Sequence, residues 1–158
     1  MFKLFDSVFS DQKINKIIEL HDEFKTSKKS FFRAQGTTAF ERPLLDEFGN
    51  QRNSIQNPHL LGFSPSLAKA ISSLLHSDEL FKCMKNFSPS DNFVHYQSML
   101  FDKSTGTSLH QDSWYLDTNP GGSLFGVWIA LENISEEDGA FYLFENGPDS
   151  KISYKDYN

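Results

Sequence analysis

The spacing of apolar residues changes near Asn92: helical before it, alternating after it. In "DQKINKIIELHDEF", Ile14, Ile17, Ile18, His21 and Phe24 fall on one stripe, with Ser10 where an N-cap belongs. This predicts an amphipathic helix, with His21 packing at its edge. "SPSLAKAISSLLHS" predicts a second helix, with Ser64 as N-cap and Pro65 at the first helical position. Leu67, Ile71, Leu74 and Leu75 would share its inner face. "SDELFKCMKNF" predicts a short third helix capped by Ser77. Between the first two, the turn pairs Gly49-Asn50 and Asn57-Pro58 mark irregular or hairpin structure.

Beyond Asn92, "FVHYQSMLF" puts Phe93, His95, Gln97, Met99 and Phe101 on one face and Val94, Tyr96, Ser98 and Leu100 on the other. Both faces carry apolar groups, which predicts a strand buried on both sides. "LHQDSWYL", "LFGVWIALENI" and "AFYLFE" are also strand-like, separated by turns at "KSTGTS", "TNPGGS" and "SEEDGA". Helices followed by antiparallel strands predict a mainly β, α+β protein: a jelly-roll sheet with an N-terminal helical layer. A single domain is expected over 1–158, with the helical and irregular part over 1–90 and the first strands over 91–158.

Composition narrows the function. The chain has 158 residues, enough for one hydrophobic core, and sixteen Phe that need a large interior. A formal charge of −6 argues against nucleic acid or an anionic membrane as partner. Cys83 is the sole cysteine, which excludes an internal disulfide and a Cys-based zinc site. Lys3 and Asp6 interrupt any signal-peptide core, and the longest apolar run, Phe125 to Leu131, is too short to span a bilayer. A cytoplasmic protein is expected, with oligomeric state open.

Three His-x-acid triplets occur: His21-x-Glu23, His76-x-Asp78 and His110-x-Asp112. On a helix, residues two apart point to opposite sides, so His21 and Glu23 cannot share a metal ion. His76 and Asp78 straddle a helix junction, where Ser77 and Asp78 serve as cap and first-turn acid. His110 and Asp112 lie in a strand-like stretch, where alternate residues project to one face and can converge on one divalent ion. A plain polar pair is the alternative. His95, on the Gln97 face, reads as a hydrogen-bonded core or pocket histidine.

"QSMLFDKSTGTSLHQDSWYL" followed by "GVWIALENISEEDGAFYLF" resembles the phytanoyl-CoA dioxygenase family over roughly residues 92–145. The resemblance implies a double-stranded β-helix and an Fe(II)- and 2-oxoglutarate-dependent oxygenase that uses O2, with ascorbate as a possible reductant. It makes His110 and Asp112 catalytic metal ligands in a facial set of two histidines and one carboxylate. It places Met99 and Trp128 at the co-substrate pocket, although both could equally be core. Gln97, facing with Met99, can reach co-substrate or substrate through its amide. Trp114 and Tyr115 follow the motif and would shape the substrate entrance or pack.

The family's third ligand is a distal histidine, and a later arginine pairs with the co-substrate's far carboxylate. No histidine follows His110 here and no arginine follows Arg52; Lys151 and Lys155 are the only cations after the His110–Asp112 motif. The chain is therefore expected to be the N-terminal part of a longer dioxygenase that hydroxylates a small organic substrate. In that case Phe141 and Phe144 would be left uncovered. A non-catalytic jelly-roll binding or assembly protein is the alternative.

Overall fold

A computed structural model of the chain describes residues 2–27, 29–32, 40–103, 110–112, 116, 118–119, 121, 123–138 and 140–142. Contacts divide the chain into two compact units, Leu4–Ser104 and Thr105–Asn158 with Met1–Lys3.

In the first unit, α1 spans Asp11–Thr26. Ser10 begins it as predicted, its side chain accepting from the Lys13 N–H. The buried stripe is Ile17, Leu20, His21 and Phe24, while Ile14 and Ile18 are only half-buried. The stripe is thus rotated toward Leu20, because α1 packs against α2, Pro65–Leu75. Helix α2 starts with Pro65 in the position that needs no N–H donor, but Ser64 makes no side-chain cap bond. It buries Leu67, Ala68, Ile71 and Leu74. Helix α3, Asp78–Met84, is capped by Ser77, which accepts from the Leu80 N–H, with Asp78 and Glu79 in its first turn.

The turn signals between α1 and α2 also form. Strands β1, Phe31–Phe32, and β2, Phe40–Glu41, pair antiparallel. A hairpin follows, closed by the Leu45–Gln51 bridge, with Gly49 at a φ of 84°. Asp46 holds its tip by accepting from the N–H groups of Phe48 and Asn50. Asn57 turns the chain at a φ of 49° into a 3-10 turn over Pro58–Leu60, which packs on α2. Phe24 and Phe31 meet edge to face with centroids 6.0 Å apart, and Ile55 and Leu67 are fully buried in the same unit.

The predicted strand over 93–101 is much shorter in the structure. Only β4, Met99–Leu100, pairs, antiparallel to β3, Ile55–Gln56. Nor is the stretch buried on both sides: Val94 is 91% exposed and Tyr96 64%. Alternation holds from Phe93 to Gln97 and then changes phase, since Leu100 is buried and Met99 is not. The physical reason is the short partner: β3 supplies a ladder only opposite the last residues, and upstream backbone has no neighbouring strand among the described residues.

A buried polar cluster fixes the chain after β4. The Asp102 carboxylate accepts from the Gln51 N–H at 2.5 Å and from Lys25 Nζ at 2.9 Å. Its other oxygen lies 3.8 Å from His21 Nδ1, and His21 Nε2 is 3.3 Å from Gln51 Oε1. His21 is thus buried, not at the helix edge; with polar neighbours at both ring nitrogens it can be desolvated.

In the second unit, the strands predicted over 124–134 and 140–145 form no ladder among the described residues. The acidic turn is present, as a 3-10 turn at Glu136–Asp138. Phe144, Trp114, Tyr115, Lys151 and Lys155 lie outside the described residues. Helices therefore outweigh strands in what is described, where a mainly β chain was expected.

Candidate metal centre

His110 and Asp112 converge. His110 Nε2 stands 3.3 Å from Asp112 Oδ1, with the imidazole a third exposed and the carboxylate about half exposed. The backbone that achieves this is not the expected strand. His110 and Gln111 carry no regular structure, and the Asp112 carbonyl accepts from the Leu116 N–H, four residues on, at 2.9 Å. Both side chains lie on one side of this three-residue stretch.

Gly126 completes the local geometry. A Cβ added there would lie 3.4 Å from Asp112 Oδ2, so the carboxylate rests against a backbone that has no side chain. In the sequence Gly126 only interrupts an apolar run, and nothing in that pattern shows its proximity to Asp112. Trp128, two residues on, stacks on Phe141 with centroids 5.8 Å apart and planes 19° apart. Both rings are more than half exposed, so Trp128 is not core packing.

The other candidates belong to the first unit. Gln97 is half-buried, and Met99, opposite Gln56 in the ladder, is 38% exposed. His95 packs against His59 and His76, and its Nε2 is buried without a hydrogen-bond partner among the described residues. This arrangement has no sequence signature, because the three histidines come from separate segments. His76 caps the end of α2, its ring nitrogen at 2.8 Å from the Ser72 carbonyl, in keeping with its structural reading.

The donor types and spacing at His110 and Asp112 suit a divalent transition metal. Two ligands at about 2.1 Å on adjacent corners of an octahedron stand about 3 Å apart, close to the separation seen. Among the described residues no group of three His, Cys, Asp or Glu side chains is placed to hold an ion, so this pair supplies two donors and not a complete set.

Comparison with known proteins bears on the same stretch. The profile of the phytanoyl-CoA dioxygenase (PhyH) family matches residues 4–144. Phytanoyl-CoA dioxygenase domain-containing protein 1 of Bos taurus is 25% identical over 166 residues, covering 89% of this chain and 54% of that protein. The protein of the same name from Danio rerio is 35% identical over 66 residues, 39% of this chain and 23% of its own length. The chain thus spans about half the length, or less, of these relatives. No solved structure matches the chain significantly.

Proposed function

Because the chain belongs to the phytanoyl-CoA dioxygenase family, a family of jelly-roll proteins, we propose that it carries part of an Fe(II)- and 2-oxoglutarate-dependent oxygenase acting on a small organic substrate. The observation that supports this best is the 3.3 Å approach of His110 Nε2 to Asp112 Oδ1 within the family-matched segment. On this reading His110 and Asp112 are two of three iron ligands, and residues 91–158 belong to the first part of a double-stranded β-helix.

Each residue has a physical task. His110 offers an imidazole lone pair, and Asp112 offers a carboxylate whose charge offsets part of that of a divalent ion. Gly126 leaves room for the carboxylate to sit against the chain. By its place in the family pattern, Trp128 would supply an apolar wall beside the co-substrate. With iron bound, 2-oxoglutarate and O2 are converted to succinate and CO2, and the second oxygen atom hydroxylates a substrate C–H bond. The protein's part is to orient donors and keep the site dry.

The test is an anaerobic titration with Fe(II), then 2-oxoglutarate, followed by succinate release on admitting O2 with ascorbate. His110→Ala and Asp112→Ala should each weaken metal binding by about tenfold or more and abolish succinate formation. Turnover that survives Asp112→Ala would overturn the ligand assignment. Failure to bind iron at all in the presence of the complete protein would favour a binding or assembly role for this fold.

A further inference from the structure

Three imidazoles meet within the first unit. His59 and His95 have ring centroids 4.5 Å apart, His76 and His95 5.6 Å, and His59 and His76 6.4 Å. They come from the 3-10 turn, the C-terminal end of α2 and the extended segment before β4. The geometry is not that of an ion site, since no three such side chains among the described residues are placed to share a metal. What these rings can share is a response to protons.

The segment depends on His95. Residues 93–97 are in no ladder, and the neighbours of His95 point outward, Val94 at 91% and Tyr96 at 64% exposure. Phe93 meets Phe81 of α3 edge to face at 5.6 Å. Ser98 is tied to Asn57 by two hydrogen bonds, of 2.8 and 3.1 Å. Between those two anchors, His95 and Gln97 face inward, and His95 makes the ring contacts. The Ser98 hydroxyl also lies 3.3 Å from His59 Nδ1, which links the turn to the same segment.

We propose that His59 and His95, packed with His76, form a proton-sensitive latch: while His59 and His95 are neutral, segment 93–98 is held against the 3-10 turn and the end of α2, and their protonation releases it. The segment leads into Gln97 and Met99, but the latch does not depend on what those residues bind.

Charging this cluster is unfavourable for stated reasons. A protonated His95 would bury an Nε2–H with no acceptor. Burial is the largest influence lowering the His59 and His95 pKa values, followed for His59 by the charges of His95 and His76; for His95 a hydrogen bond to the Gln97 backbone opposes the effect and His76 adds to it. Acids and bases on the packed elements do not offset this. Glu79 of α3 is paired with Lys13, and Lys85 beyond α3 with Asp91. Asp78 is exposed in the first turn of α3. Both midpoints lie below 6.5 in the folded chain, so as pH falls the opened form takes up protons first. Latch stability is fully present above 6.5 and is lost as pH falls through the folded-state midpoints.

The experiment is NMR on the complete chain with labelled histidine, together with amide exchange corrected for intrinsic rate. His59 and His95 should titrate below 6.5, and protection of the Asn57 and Ser98 amides should fall on the order of tenfold between about pH 7.5 and about pH 5.5. The Ala68 amide in α2 should keep its protection, which separates local release from global unfolding. H95Q should remove the pH dependence. If H95Q does not fold, H76Q, at an exposed position, should raise the His59 and His95 midpoints. Midpoints at or above 6.5, a pH-independent segment, or unmoved midpoints in H76Q would each overturn the latch.

Discussion

Asp102 ties three parts of the first unit, and Asp102→Ala is the most informative stability change. Its carboxylate accepts from the Gln51 N–H and from Lys25 Nζ, on a residue 2% exposed and a side chain 11% exposed. Alanine leaves the buried Gln51 N–H without its acceptor, a loss of about 1–3 kcal/mol. Breaking a buried ion pair typically costs about 3–5 kcal/mol, but Lys25 keeps Asp22 as a partner, so only part of that cost applies. The Asp22 contact is at 2.8 Å. Together the expected loss is about 2–4 kcal/mol. Asp102→Asn keeps an acceptor for Gln51 and removes only the charge, so it should cost about half as much. Urea unfolding followed by circular dichroism measures both, provided the slope is unchanged. A cost for Asp102→Ala below about 1 kcal/mol, or equal costs for both variants, would show that the cluster is not holding the chain after β4.

Three further outcomes are expected. Ser77→Ala should destabilise by about 1 kcal/mol, whereas Ser64→Ala should be nearly neutral, because only Ser77 makes a side-chain cap bond; thermal melts separate the two. Burial lowers the His21 pKa most, with Asp102 opposing and Lys25 reinforcing, so stability should decline as pH falls from 6.5 toward the folded-state midpoint, and His21→Gln should flatten that limb in urea titrations. Gly126→Val should weaken Co(II) binding by about tenfold without altering far-UV circular dichroism, since a Cβ there already touches Asp112 Oδ2 at 3.4 Å and the two branch carbons add bulk beside the carboxylate.

The helical half was legible because its determinants are local. Ser10, Pro65 and Ser77 act within one turn of their own helices, and Gly49 and Asn57 set turns through their own backbone angles. The strand half was not, because alternation states only that a stretch can be extended. Whether Phe93–Phe101 joins a ladder depends on what lies beside it, and β3 is two residues long.

The sequence by itself determined the helix starts, the hairpin, the family and the His110–Asp112 pair as the place to look for chemistry. Tertiary structure alone decided that His21 is buried between Gln51 and Asp102, that Gly126 backs the Asp112 carboxylate, and that His59, His76 and His95 share one contact. The physical reason is range: caps and turns are settled between residues a few positions apart. Burial, charge pairing and the company of an imidazole are settled by whichever distant segment packs against it.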